Sequence, residues 1–301
     1  FRKFDNLLAA REKFQPVKVK IYPANSFDDP AKKSTILLKE SLLLDPKNIP
    51  IPLVDEKEWV ICKKIHSALG VVRLEEINDF AVSRGEINQT IYRKYIKNKS
   101  EMERLLKGVE VGRYHLNEKL SQGYREWFDE KSFLKENSEK PVVKCRRIAT
   151  QRITGVDERL RIVATIVEPK TYFADSTNSI TIILNSKYCL KYLLGLLNST
   201  LFQWRFKLTS TNNNVGTNEL NSMPFRQIDF SDPTDKANYD RMISLVDQML
   251  ELNKKLTESK IPQTTEMLRR QIESTNMQID NLVYSLYDLT DEEIKIVESE
   301  N

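Results

Sequence analysis

The chain has 301 residues, 30% of them charged and 40% from the set AVILMFWYC, which excludes both a membrane-embedded and a disordered chain. Its net charge of +4 is unevenly spread: residues 232–301 hold 8 Lys/Arg against 15 Asp/Glu, and the 231 before them hold 39 against 28. With 8 glycines and the three distant cysteines Cys62, Cys145 and Cys189, glycine-rich phosphate cradles, propellers, zinc ribbons and disulfide frameworks are excluded, and the thiols read as those of a cytoplasmic protein.

Pro16, Pro23, Pro30, Pro46, Pro50 and Pro52 punctuate the opening segment. VKVKIY (17–22) alternates apolar and basic residues, as a half-exposed strand does. TILLKESLLL (35–44) is apolar but short and is broken by NIPIP. Residues 1–57 therefore read as a connector with a strand or two laid over another module. A start at Phe1 running into FRKFDNLLAAREKF gives the expectation of a C-terminal piece of a longer protein. EWVICKKIHSAL (58–69) places Trp59, Ile61, Cys62, Ile65 and Leu69 near helical spacing, with Gly70 as C-cap.

Residues 71–185 read as strands and loops. DFAVSRG, VEVGRYHL, KPVVKCRRIATQRI, RIVATIVEPKTYFAD and SITIIL each show β-branched alternation between turn residues. Over 187–210 the period becomes helical, with Leu190, Leu193, Leu194, Leu197, Leu201 and Trp204 on one face, which reads as core. Beyond Pro233 two seams follow. The first comprises Tyr239, Ile243, Val246, Leu250, Asn253 and Leu256. The second comprises Leu268, Ile272, Thr275, Ile279, Leu282, Leu286 and Leu289. They predict an antiparallel helical hairpin with Asn253 and Thr275 setting register and one stripe docking on a partner domain or chain. Thr290 followed by Glu293 predicts a capping box on a last helix. The fold class is α/β (α+β): a mixed-sheet domain over 58–231, then the hairpin and terminal helix of 232–301.

Catalytic patterns are scarce. No GxGxxG, GxxxxGK or Asn/Asp-Pro-Pro-aromatic tetrapeptide occurs, and His66 and His115 sit in unrelated contexts. No catalytic residue and no metal ligand is assigned. Groups suited to reading base edges and gripping phosphates do cluster near strand ends. They are Arg84, Asn88, Gln89, Arg93 and Lys94; Arg113 and Tyr114, beside His115; Lys144, Arg146, Arg147 and Arg152, with Gln151; and Asn212, Asn213 and Asn214 in a polar loop. Taken singly, each basic residue reads as a solvated strand edge. Several clusters on a basic body, followed by an acidic segment, point to duplex DNA.

The ordered runs VSRGEIN, VGRYHL, KPVVKCRRIATQRI, YFADSTNSITIIL, GLLNSTLFQWRF, NELNSMPF and LYDLTDEEIKIVE resemble the TaqI-like C-terminal specificity domain of adenine-specific DNA methyltransferases and type IIG restriction–modification enzymes. They are also similar to recognition domains of type I specificity subunits. The resemblance spans about 60–301. It implies a target-recognition domain that grips double-stranded DNA. It also implies helices that pack on an upstream methyltransferase domain or subunit, which would hold S-adenosylmethionine. No internal repeat is found, which favours a fused enzyme over a free-standing subunit. Two rival readings are a protein–protein assembly module built on the hairpin, and a magnesium-dependent nuclease using Glu168 and Lys170.

Overall fold

The computed structural model describes residues 16–22, 29–155, 160–210 and 212–299; of the connector read over 1–57, residues 1–15 and 23–28 lie outside the described residues. β1 (Pro16–Ile21) and β2 (Lys32–Leu37) form an antiparallel ribbon, with Pro16 opposite Leu37 and Ile21 opposite Lys32. A single turn, α1 (Leu38–Ser41), leads on to α2 (Glu56–Ser67). Asp55 caps α2 reciprocally: its carboxylate accepts from Glu58 N–H at 2.8 Å, while Glu58 accepts from Asp55 N–H at 2.6 Å. The expected apolar face is buried at Trp59, Ile61, Cys62 and Ile65, but Leu69 lies beyond the helix and is exposed. Gly70 is not the cap. The helix ends on extended Ala68, and Gly70, at φ +73°, makes the turn into β3 (Val71–Arg73).

Two four-stranded sheets form the middle of the molecule. One comprises β4 (Phe80–Arg84), β8 (Arg147–Gln151), β9 (Ala164–Val167) and β11 (Thr177–Ile182), in the order β4-β11-β8-β9 and antiparallel throughout. The other comprises β5 (Ile96–Lys97), β6 (Glu103–Leu106), β7 (Glu126–Phe128) and β10 (Thr171–Phe173), in the order β10-β6-β7-β5. β10 runs parallel to β6, which makes this sheet mixed. A turn of helix, α3 (Glu130–Phe133), lets Phe133 join the aromatic cluster of Tyr95, Phe128 and Tyr172 under it. VEVGRYHL departs from its strand pattern. A single bridge joins Val111 and Leu116 across a tight loop, in which Gly112 N–H donates to His115 O and Tyr114 sits at φ +65°. The alternation there spans too few residues to outweigh this turn.

The helical run expected over 187–210 is two helices, α4 (Leu190–Asn198) and α5 (Thr200–Lys207). Ser199 breaks the run: it is extended, and its hydroxyl accepts from Phe202 N–H. Both helices are buried nearly all round, so the predicted stripe is only part of what they bury. A short α6 (Thr217–Asn221) precedes β12 (Pro224–Arg226), which pairs with β3.

The hairpin forms as predicted, from α7 (Pro233–Glu258) and α8 (Pro262–Leu286). α7 buries a second row, Met242, Leu245, Met249 and Leu252, beside the predicted seam. Part of that surface docks on this chain's own α4, where Gly195 has no side chain and Met242 and Val246 fill the space. Asn253 and Thr275 do not bond across the seam. Each donates to the carbonyl one turn back in its own helix, Met249 O and Gln271 O. The terminal helix α9 (Asp291–Ser299) carries the expected box, with Thr290 N–H donating to Glu293 at 2.8 Å and Glu293 N–H donating to the Thr290 hydroxyl at 3.3 Å. One core runs from Ile36 through Trp59, Ile148, Trp204 and Met242 to Val297, so residues before 58, between, and after 232 all share it.

His66 belongs to that core. Its Nε2 accepts from Arg205 Nε at 2.6 Å, and burial, with the Arg205 charge added, holds its pKa well below 6.5. The unfolded chain therefore takes up a proton near pH 6.5 that the folded chain refuses. The stability linked to His66 is complete above about pH 6.5 and falls below it, by up to about 1.4 kcal/mol per pH unit, until the folded pKa is reached. Urea midpoints at pH 7.5 and 5.5 for the wild type and His66→Gln check this. The wild type is expected to lose more on acidification than the variant, and equal losses would refute the linkage.

Candidate nucleic-acid interface

Between the two sheets lies an open groove of about 1000 Å³. Lys107, Gly108 and Val109, just past β6, line one side with Asn117, Ser121, Gln122 and Gly123. The other side is made by Gln151, Ile153, Thr154 and Gly155 at the end of β8, by Leu160 and Val163 before β9, and by Ser176 before β11. Amide, hydroxyl and ammonium groups thus surround one exposed aliphatic side chain, Ile153, which keeps 64% of its surface open. Such a lining can hydrogen-bond base edges and touch a thymine methyl group.

Backbone pairing fixes these positions. Gly108 N–H donates to the Ser176 hydroxyl at 3.1 Å, and a Cβ at Gly108 would overlap Ser176 O, so only glycine lets the two walls approach this closely. Gln151 is partly committed, donating from Nε2 to Val111 O at 2.6 Å. The asparagine loop is tied to the same edge: Ile153 bridges Asn214, Thr154 N–H donates to Asn213 O at 2.9 Å, and Val215 N–H donates to Arg152 O at 2.7 Å. From behind, buried Arg161 donates to Asn212 O at 2.6 Å.

Cations border the groove around two acids. Glu126, buried at the start of β7, draws Arg93 at 3.2 Å, Lys107 at 3.4 Å and Gln89 at 3.3 Å. Lys107 also donates to Tyr124 O and lies over its ring. At the opposite rim Arg84 pairs with Asp175 at 3.0 Å, and Arg152 donates to Asp175 O at 3.2 Å. Burial, followed by the charge of Arg84, lowers the Arg152 pKa.

Of the residues singled out in the sequence, Gln89, Arg93, Arg84, Arg152, Asn212, Asn213 and Asn214 connect to this rim. Asn88 spends its side-chain oxygen on the turn that follows, accepting from Thr90 and Ile91 N–H at 3.0 Å each. Lys94 pairs with Glu136, Lys144 with Glu139 and Arg146 with Glu168, on exposed strand edges and turns away from the groove lining. Glu168, the carboxylate of the nuclease reading, is thus committed to Arg146.

Three residues have structural roles that conflict with a readout role. Arg147 is 1% exposed and makes a bidentate pair with Glu86 at 2.8 and 3.0 Å. Tyr114 is buried, with its pKa pushed up to about 12. Arg113 donates to Asn198 O at 2.5 Å and to the Asn276 side chain on α8. Sequence reasoning missed Lys107, Asn117, Gln122, Ile153 and Thr154. The available signal was glycine: in a chain with only eight, three of them, Gly108, Gly123 and Gly155, line the groove.

Among the described residues no group of three or more His, Cys, Asp or Glu could hold a metal ion, and no helix is long and apolar enough to cross a membrane. No curated protein sequence matches the chain. Several solved structures are similar at low identity. The type IIL restriction–modification enzyme MmeI in complex with DNA is 12% identical with a TM-score of 0.49, covering 74% of this chain and 35% of that one. The type IIG restriction endonuclease BpuSI is 12% identical with a TM-score of 0.43, covering 89% and 37%. A type I restriction–modification assembly is 10% identical with a TM-score of 0.41, covering 77% and 52%. The chain thus spans about a third to a half of the length of these proteins. Residues 103–228 match the family model of the TaqI-like C-terminal specificity domain, and every residue lining the groove falls inside that stretch.

Proposed function

We propose that the chain is the target-recognition domain of a restriction–modification enzyme. It reads duplex DNA through the groove between the two sheets. The observation that carries this is the coincidence of the groove with the matched segment, together with the Arg and Lys residues along its rim. Lysine and arginine neutralise phosphates, while Gln122, Thr154, Ile153 and the Asn212–Asn214 loop face the bases. The enzyme served is an adenine-N6 methyltransferase of the type IIG-like kind. Its catalytic core flips and methylates the adenine and holds S-adenosylmethionine outside this chain, which contains no Asn/Asp-Pro-Pro-aromatic tetrapeptide. The hairpin, where Ile261, Met267 and Met277 stand exposed, offers a surface to that core.

Selection of duplexes from a random pool at moderate salt tests the reading. An enriched motif containing an adenine is expected. Gln122→Ala should relax the preference at one position, since each good base contact carries about 1–3 kcal/mol of discrimination. Arg93→Glu combined with Lys107→Glu should weaken binding to every sequence. Enrichment unchanged by all three substitutions would remove the groove from recognition. Absence of DNA binding at low salt would leave the hairpin as an assembly module.

A further inference from the structure

The end of β8 has two faces, and only one of them looks into the groove. Asn178 on β11 stands opposite both Arg84 and Thr150, and its side chain donates to Thr150 Oγ1 at 3.0 Å, so these three residues share a face. Arg152, two residues beyond Thr150, falls on that same face. Gln151 and Ile153 point the other way, into the groove. The backbone of Arg152 is held on both sides, its N–H donating to Ser176 O at 3.1 Å and its carbonyl accepting from Val215 N–H.

Two guanidinium groups therefore converge on Asp175. Arg84 takes its carboxylate with Nη2 and its carbonyl with Nε, both at 3.0 Å, and Arg152 takes the same carbonyl with Nη1. Among the described residues, only Arg84 is paired with the carboxylate. Glu219 acts on Arg152 from a longer range and is shared with buried Arg161. Arg152 Nε is buried without a hydrogen-bond partner among the described residues, and Arg84 keeps 54% of its side chain exposed beside it. Two like charges are thus held together, short of one negative charge, on rigid strand ends next to a groove. A phosphodiester supplies one negative charge and two terminal oxygens, the geometry a guanidinium fork accepts.

We propose that Arg84 and Arg152 form a clamp for a single backbone phosphate of duplex DNA. It sets the register of the duplex over the groove and carries no base preference of its own. This rests on the DNA-recognition reading and refines it, separating the residues that position the duplex from those that read it.

The test is the salt dependence of duplex binding by the 301-residue chain, measured on a selected duplex and on random duplexes. Arg84→Gln/Arg152→Gln is expected to lower the slope of log K against log salt by about 0.9, the contribution of one phosphate, equally on both. A neutral methylphosphonate scanned through the selected duplex should reproduce that loss at one linkage in the wild type, and should add nothing at that linkage in the double variant. Should the double variant lack the wild-type melting transition, Arg84→Gln alone, at a half-exposed position, carries the same measurement. An unchanged slope overturns the clamp and leaves the DNA reading standing. A loss confined to the selected duplex overturns it in favour of base readout. A wild type with no salt-dependent DNA binding overturns both.

Discussion

Gln203→Leu is expected to cost roughly 4 kcal/mol or more in urea unfolding and, under the proposed function, to lower DNA affinity at temperatures where the chain remains folded. Gln203 on α5 is buried, and its side-chain amide satisfies four backbone groups. Its Oε1 accepts from Arg161 and Ile162 N–H at 2.8 and 2.9 Å, and its Nε2 donates to Ile162 O and Leu197 O at 2.9 and 3.1 Å. Leucine fills similar space but strands those groups away from water, each costing about 1–3 kcal/mol. The segment they hold leads from Leu160 to Val163 along the groove, so the same substitution frees one groove wall. A loss below about 1 kcal/mol would mean that the segment repairs its hydrogen bonds locally, and that Gln203 does not position the wall.

The second large effect is expected at Arg147, whose removal as Arg147→Ala should destabilise the chain by roughly 3–5 kcal/mol, the usual result of leaving one buried charge without its partner. Arg147 is on β8, yet it donates to Thr171 O on β10 at 2.7 Å, to Ser179 Oγ on β11 at 3.2 Å, and bidentately to Glu86. Its guanidinium lies 3.6 Å from the Phe173 ring centroid, and Glu86 accepts from Phe173 N–H at 2.9 Å as well. One side chain therefore joins the two sheets whose separation defines the groove. Replacing both charges, as Arg147→Met/Glu86→Leu, should recover a large part of the loss, because it leaves no unpaired ion. A double variant no more stable than Arg147→Ala would show that the joint depends on the hydrogen bonds to Thr171 and Ser179 rather than on charge pairing.

These two residues mark where the sequence was legible and where it was not. Alternation revealed VKVKIY, FAVSR and SITI as strands, and the repeated three- and four-residue steps revealed both hairpin helices. Those signals lie within a single element. Ser199 interrupts a helical run without disturbing its period, so the break between α4 and α5 left no trace in the spacing. Arg147 looked like Arg146: both lie in one basic run, and only the tertiary position of Glu86 buries one and leaves the other at the surface. The groove was illegible for the same reason. Its walls come from 107–123 and 151–176, brought together by the parallel pairing of β10 with β6, and no local pattern encodes a parallel pair. The asparagine loop stood out in the sequence because three identical polar residues in a row need no tertiary knowledge to notice, and the structure ties it to the edge of the groove.

The last helix has a bearing on how the molecule is made. α9 rests on α2 and α5, Val297 is buried in the common core, and Lys64 on α2 reaches Glu293 at 2.6 Å across 229 positions of chain. During synthesis, the face of α2 that receives α9 stays uncovered until residue 297 has left the ribosome. Contacts separated so far in sequence also close slowly, because the entropy of the intervening loop must be overcome first. Completion of the core therefore waits for residue 297 to emerge, and from the synthesis of α2 until then the nascent chain carries an exposed apolar surface.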